Sequence, residues 1–469
     1  MHKKSMLLAV STIAFAVAAA FSIEPVSSQL RDGVRDPGVR VDPPLARPSA
    51  GGHIARLTDN EIRFFRLGKE EFEEVEGVAD GLGPRMNLDA CGACHSQPAT
   101  GGTSPAVNPQ VAFANAATPS QLPAVDSFIR ARGPVREARF VRNPDGTPDG
   151  GVHALFTITG RPDAEVTPPG PCRLEQPDFD REIANRNVIF RIPTPVFGAG
   201  LMEQIPDAAI LANQAASSSR KWDLGIRGRA NYAVAGRTIS GQANNNGNDG
   251  TISRFGWKAQ NQTLLLFSGE AYNVEMGITS ELFQVERDET ASCQFTTVPN
   301  TTQNFDALDA LTGTTAIQNF ANFQRFLAPP RPSADTPGGA QSIAMGRGVF
   351  ESTGCALCHT PTLRTGNSTV VALQNRDANL FSDLLVHDMG EGLADGVSQG
   401  QAGPREFRTA PLWGLGQRIF FLHDGRTTDL IQAIRQHRSE GSEANRVVGN
   451  FDDLTESQKQ DLLNFLRSL

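Results

Sequence analysis

Hydrophobic positions recur at helical spacing along several stretches of the chain. Ile62, Phe65, Phe72 and Val75 form one apolar face, opened by Thr58 with Glu61 three residues on, a capping box. Phe320, Phe323, Phe326 and Leu327 form a second, and residues 341–351 read as a third helix. Leu430, Ile431, Ala433 and Ile434 mark an amphipathic helix that sets His437 one turn along. At the end of the chain Thr455 and Gln458 form another capping box ahead of Leu462, Leu463, Leu466 and Leu469. Short strand-like runs fall at 152–159, 187–192 and 263–267, among loops rich in Gly, Pro and Asn.

The non-periodic segments divide the chain. Residues 1–20 carry His2, Lys3 and Lys4, then an apolar run closing in Ala18-Ala19-Ala20, the pattern of a secretory signal. That run is shorter than the roughly 20 residues that span a bilayer, and no later segment is apolar enough, so no stable membrane insertion is expected. Residues 21–56, rich in Pro, Arg, Asp and Gly, read as a flexible lead-in, with order beginning near Leu57. A Pro-rich stretch at 328–338 is the best domain boundary.

Two signatures of one pattern, Cys-x-x-Cys-His, decide the chemistry. Cys91-Gly92-Ala93-Cys94-His95 and Cys355-Ala356-Leu357-Cys358-His359 each read as a covalent attachment site for a c-type haem. The two thiols add to the vinyl groups, and His95 or His359 ligates iron through its imidazole. Zinc would want more thiols or histidines at paired spacing, and a thioredoxin-like pair does not need the histidine. Two covalently bound haem c groups are therefore expected. The helices before each signature occupy equivalent positions in two cytochrome-like units. The expected fold is mainly α: two cytochrome c-like haem domains, at 57–330 and 336–469, the first enlarged by a mixed α/β insertion.

The formal charge is −8, and the export segment holds two of the lysines, so nucleic acid is not an expected partner. Four of six cysteines belong to the haem signatures, leaving Cys172 and Cys293 as a candidate disulfide or as two free thiols. Signal, haem signatures and spare cysteine pair agree on a periplasmic location.

Several further segments carry a resemblance: Gly81-Leu82-Gly83-Pro84, Phe190-Arg191-Ile192-Pro193-Thr194-Pro195-Val196-Phe197-Gly198, Arg254-Phe255-Gly256-Trp257-Lys258-Ala259, Val386-His387-Asp388-Met389-Gly390, Phe407-Arg408-Thr409-Ala410-Pro411-Leu412-Trp413 and Leu422-His423-Asp424-Gly425. On these residues the chain resembles the bacterial di-haem oxidoreductase family, in places labelled thiol oxidoreductases, which is related to the dihaem cytochrome c peroxidases. The thiol label finds no support here, since no cysteine outside the haem signatures sits in a reactive motif.

The resemblance implies roles. In the peroxidases a second axial ligand to the C-terminal haem lies fourteen residues after the histidine of a His-x-Gly segment; from His423 this lands on His437. Bis-histidine coordination there suits an electron relay. Met389, His387 and Met276 are the remaining candidates. The position of a capping histidine on the N-terminal haem holds Val111, which implies an open, reactive iron, with His153 as a possible distal group. Glu203, in the apolar segment 200–206, is the candidate acid/base for peroxide. Trp257, then Trp413, is the candidate bridge for electrons between the haems. A Thr-x-Pro segment that helps hold calcium in the peroxidases is replaced by Arg418 and Phe420, which leaves calcium in doubt.

The function so implied is a peroxidase-like oxidoreductase. It would take electrons from a small redox protein at the C-terminal haem and reduce hydrogen peroxide, or another small oxidant, at the N-terminal one. The rival classes are a non-catalytic dihaem electron carrier and an oxygenase or protein-modifying enzyme.

Overall fold

The fold is organised by two pairs of crossing helices. The computed structural model describes residues 33–40, 50–77, 80–83, 85–116, 126–157, 175–234, 238–239, 242–243, 250–280, 282–284 and 313–469. Its main helices are α1 (Asp59–Glu73), α2 (Ala199–Glu203), α3 (Ser218–Leu224), α4 (Leu264–Met276), α5 (Ala316–Phe326), α6 (Gly339–Thr353), α7 (Leu430–Gln436) and α8 (Glu456–Ser468). Helix dominates the described residues, and most strands are two to four residues long.

In the first pair α1 packs on α5. Both begin in capping boxes, Thr58 with Glu61 and Thr315 with Gln318, which satisfy the first free amides of each helix. Phe65 and Phe72 of α1 meet Phe323 of α5 at ring separations of 5.5 and 4.8 Å. At the crossing Gly68 lets the backbones touch, because a Cβ there would collide with the carbonyl of Asn319 and the amide of Phe323. The second pair, α6 on α8, repeats the arrangement. Gly346 lies against the carbonyl of Asp461 and the Cβ of Phe465, and α8 opens in the Thr455–Gln458 box. One Cys-x-x-Cys-His segment follows the first helix of each pair, as the turn Cys91–Cys94 after α1 and as a 3-10 turn from Cys355 after α6.

Between the pairs lie the small sheets. Strand β1 (Glu137–Phe140) is central in an antiparallel sheet, flanked by β2 (Val152–His153) and β3 (Val188–Arg191), with Ala138 opposite Phe190. In the C-terminal half β4 (Val386–Asp388) pairs with β5 (Glu406–Arg408).

The run at 187–192 contains β3 as the pattern predicts. The run at 152–159 is broken: β2 ends at His153, Phe156–Thr157 pairs instead with Arg85–Met86, and 158–159 lie outside the described residues. The run at 263–267 is a correction. Thr263 is an N-cap whose hydroxyl accepts from the amide of Leu266, and the apolar residues after it open α4. That helix is buried nearly all round, so no polar face revealed its period.

The lead-in is also packed in part. Asp36 pairs with Arg467 of α8 at 2.6 Å and accepts from the amide of Leu430, while the amide of Ile54 bonds to the carbonyl of Phe326. A single buried ion pair holds a segment that has few apolar residues to announce it. Residues 1–32, Cys172 and Cys293 lie outside the described residues. Among those described, no helix is long and apolar enough to cross a membrane.

Candidate functional site

Each signature opens into a cavity. The C-terminal one spans about 1430 Å³, the open solvent at its mouth included, and is lined by Cys355, Cys358, His359, His437 and apolar side chains such as Leu412 and Leu466. The Nδ1 of His359 bonds to the carbonyl of Phe381 at 3.1 Å, which leaves Nε2 as the ring nitrogen available to a ligand. His437, at the C-terminal end of α7, is held in the same way, its Nδ1 on the carbonyl of Ala433 at 2.7 Å. Burial pushes the His359 imidazole down to about 4, and the nearby His437 adds to the shift; His437 is lowered by its own burial. Both rings are therefore neutral at pH 7, the form that binds metal.

Two arginines mark what the cavity is built to hold. Arg408, buried, and Arg418, half-buried, line it, and the loss of water around each guanidinium lowers it to about 10. Their bonds run to main-chain carbonyls, Gly256 and Thr409 for Arg408 and Pro411 for Arg418, and no carboxylate pairs with either among the described residues. Buried cations without anions are costly. Apolar walls, two thiols, facing imidazoles and two waiting guanidiniums fit a porphyrin with its propionates.

The N-terminal cavity, about 1030 Å³, is lined by Cys91, Cys94 and His95 but is far more charged. The Nδ1 of His95 bonds to the carbonyl of Gly102 at 3.0 Å, and burial lowers the ring to about 4. Around it stand Glu137 and Arg139 of β1, Arg191 of β3, and Glu270 and Glu275 of α4. Burial works to raise Glu137, but Arg139, 2.6 Å away, overrides it and with Glu275 and Arg191 holds the carboxyl at about 2. Burial and the Glu137 charge drive Glu275 the other way, well above the usual carboxylate range. Glu275 therefore keeps a proton at neutral pH beside an ionised Glu137.

The remaining expected residues separate cleanly. Trp257 lines both cavities, alone among the described residues; its Nε1 donates to the carbonyl of Ile192 at 2.9 Å. Trp413 lines neither and packs against Gly198. Glu203 is a correction. It lines neither cavity, accepts from the amide of Leu264 at 2.9 Å and pairs with Arg325 at 2.8 Å, so it ties α2 to α4 and α5. His153 stacks on Phe140 and pairs with Asp149 at 2.7 Å, away from the N-terminal cavity. Met276 lies in that cavity with its sulfur 3.9 Å from Cys91, and Met389 and His387 line the C-terminal one, where His387 is bonded to Asp383 and Glu443.

The family described as "Di-haem oxidoreductase, putative peroxidase" matches residues 176–469. The chain belongs to the di-haem oxidoreductase family. Membership carries two haems and a general oxidoreductase character. No curated protein matches this chain. Among solved structures it is similar to the hydrazine synthase of Kuenenia stuttgartiensis, at 16% identity over 34% of this chain and 58% of that one, TM-score 0.22. It is likewise similar to the diheme peroxidase BthA of Burkholderia thailandensis, at 16% identity over 46% and 66%, TM-score 0.28. A MauG-like protein associated with microbial copper homeostasis matches at 18% identity over 59% and 90%, TM-score 0.29. The chain thus spans less than two thirds of the first two structures it matches.

In this di-haem oxidoreductase, sequence reasoning missed the glutamates of the N-terminal cavity. The signal was present: Glu270 and Glu275 are the acidic positions near and within the last turn of an otherwise apolar segment. Read as a strand start followed by loop, 264–276 concealed them.

Proposed function

We propose that this di-haem oxidoreductase is an exported, periplasmic enzyme with covalently attached haem c in both cavities. It would reduce hydrogen peroxide at the N-terminal centre with electrons relayed from the C-terminal one. The carrying observation is the inequality of the two cavities. One presents neutral imidazoles, His359 and His437 among them, within largely apolar walls; the other presents His95 beside the protonated Glu275 and the ionised Glu137. Two strong protein ligands favour electron transfer, whereas one ligand beside proton-bearing groups favours chemistry.

When bound, haem supplies an iron that gains and loses single electrons at each end. The protein does the rest. His359 and His437 orient and buffer the relay, and Arg408 and Arg418 neutralise its propionates. Trp257 fills the space between the cavities. Splitting hydrogen peroxide into two waters takes two electrons and two protons, and one proton must move from one oxygen to the other. The carboxyl of Glu275 holds a proton at neutral pH, and the carboxylate of Glu137 beside it can take it back. Arg139 favours the ionised form of Glu137, so that the proton it takes is passed on rather than kept.

The two cytochrome-like units at 57–330 and 336–469, with the β1–β3 sheet and α4 as additions to the first, are the architecture that supports this reading. A small redox protein is the electron donor.

The test is the ferric spectrum of the purified holoprotein and of His437→Ala. The wild type is expected to show one low-spin and one high-spin component, and the variant to lose the low-spin one. Two low-spin centres in the wild type would leave an electron carrier rather than a peroxidase, and an unchanged variant spectrum would remove His437 from the ligands.

A further inference from the structure

We propose that the face carried by α3 and the turn after it is the docking surface for a small, acidic, one-electron redox protein. This rests on electron entry at the C-terminal centre. Trp222 stands 69% exposed on α3, a position where so large an apolar side chain is normally covered. The guanidinium of Arg227 lies over its ring at 4.0 Å.

Arg227 covers the indole, and two further arginines, Arg220 and Arg446, are held on or against α3; all three are anchored on backbone. Arg220 donates to the carbonyls of Glu351 and Ser352 at 2.8 and 2.7 Å, Arg227 to that of Ile226 at 2.9 Å, and Arg446 to that of Asp223. None of the three forms an ion pair among the described residues, so their charges stay uncancelled at the surface. The carboxylates nearby are Asp223, Glu351, the latter engaged by Arg347 at 3.3 Å, and Glu443, which accepts from the main-chain amide of Arg227 at 2.6 Å and is paired with His387. In a chain of net charge −8 this is a locally positive face. A partner steered to it carries the opposite sign.

The face also lies close to the centre it would serve. The carbonyls held by Arg220 are in and just beside the last turn of α6, ahead of Cys355. A Cβ on Gly354 would lie 2.9 Å from Leu224, so the end of α3 rests on the haem-attachment turn. Ile226 and His387 line both the surface pocket beneath Trp222 and the C-terminal cavity. One layer of side chains therefore separates a docked carrier from the C-terminal cavity. The step is a single electron transfer: the carrier is oxidised by one electron, the ferric centre is reduced by one, and no bond forms or breaks.

The test mixes oxidised holoprotein with reduced plant plastocyanin, an acidic copper protein, and in parallel with reduced mitochondrial cytochrome c, a basic one. The plastocyanin rate constant is expected to fall steeply with added salt, and to drop about tenfold in Arg227→Glu and in Arg446→Glu. Trp222→Ala should slow the reaction at every ionic strength, while the cytochrome c rate does not fall in the arginine variants. A plastocyanin rate insensitive to salt in the wild type overturns the proposal without any variant. Freeze-quenched electron paramagnetic resonance separates the two layers. If the C-terminal signal is lost first but the variants react as the wild type does, the surface is wrong and electron entry stands; if the N-terminal signal is lost first, both fall.

Discussion

At the scale of single residues, the chemistry that was legible is local. A haem signature is five residues long and is read without knowledge of the fold, whereas the place of His437, counted from His423, comes only from the family resemblance. Glu203 shows the limit. A carboxylate in an apolar segment must be used or paired, but its partner, Arg325, is 122 positions away, and only the folded chain brings them together. Glu137 and Glu275 come together from β1 and α4 for the same reason. Glu275→Gln removes the proton carrier while keeping its size, and is expected to lower peroxide turnover by about 10²-fold or more, measured against a reduced cytochrome donor. Glu137→Gln should do the same and also leave Arg139 without its anion. A second carboxyl gives a test by pH. Burial raises Glu76 to about 7 from its ordinary 4.5, although the hydroxyl of Tyr272 donates to it at 2.7 Å. The folded protein then keeps a proton that the unfolded chain releases, so stability declines as pH rises from 4.5 to about 7 and levels off above. Glu76→Gln still accepts from Tyr272, and its melting temperature is expected to fall less than that of the wild type across that window.

At the scale of elements, capped amphipathic helices were readable and buried ones were not. α1 and α8 each carry a capping box and one apolar stripe and begin where the pattern puts them, although α1 ends at Glu73 and leaves Val75 exposed beyond it. α4 has no polar face, and its first five residues mimic a strand. What no pattern revealed is how the helices cross. Gly68 and Gly346 occupy matching places in the two pairs, each facing a main-chain carbonyl on the partner helix. Gly346→Ala is expected to force α6 from α8, costing about 1–3 kcal/mol and lowering haem content per chain. Gly348, two residues on, is exposed with nothing within 4 Å of an added Cβ. Gly348→Ala should therefore stabilise the protein by roughly 0.5–1 kcal/mol through helix propensity alone. Urea unfolding of the two variants side by side checks the sign of each.

At the scale of the whole molecule, the two halves meet through a buried charge cluster that no local pattern announces. Asp395, from the C-terminal half, receives Arg191 at 2.6 Å and Lys258 at 3.0 Å, both from the N-terminal half, and all three side chains are almost fully buried. Arg191 lines the N-terminal cavity. The ammonium of Lys258 lies over the ring of Phe407, which stacks at 4.4 Å on His423 in the C-terminal cavity. Trp257, next to Lys258, is thereby held between the two. Removing the anion alone strands two buried cations, so Asp395→Ala is expected to cost about 3–5 kcal/mol. The loss should also slow electron passage between the centres, because the segment that positions Trp257 loses its anchor. Trp257→Phe separates the two effects. It keeps an aromatic ring in place but removes the indole and its bond to Ile192, so the melting temperature should move little while electron equilibration between the haems, followed after flash reduction, slows at least severalfold. If equilibration is as fast in Trp257→Phe as in the wild type, electrons cross elsewhere, and the cluster around Asp395 serves to join the halves without serving the transfer.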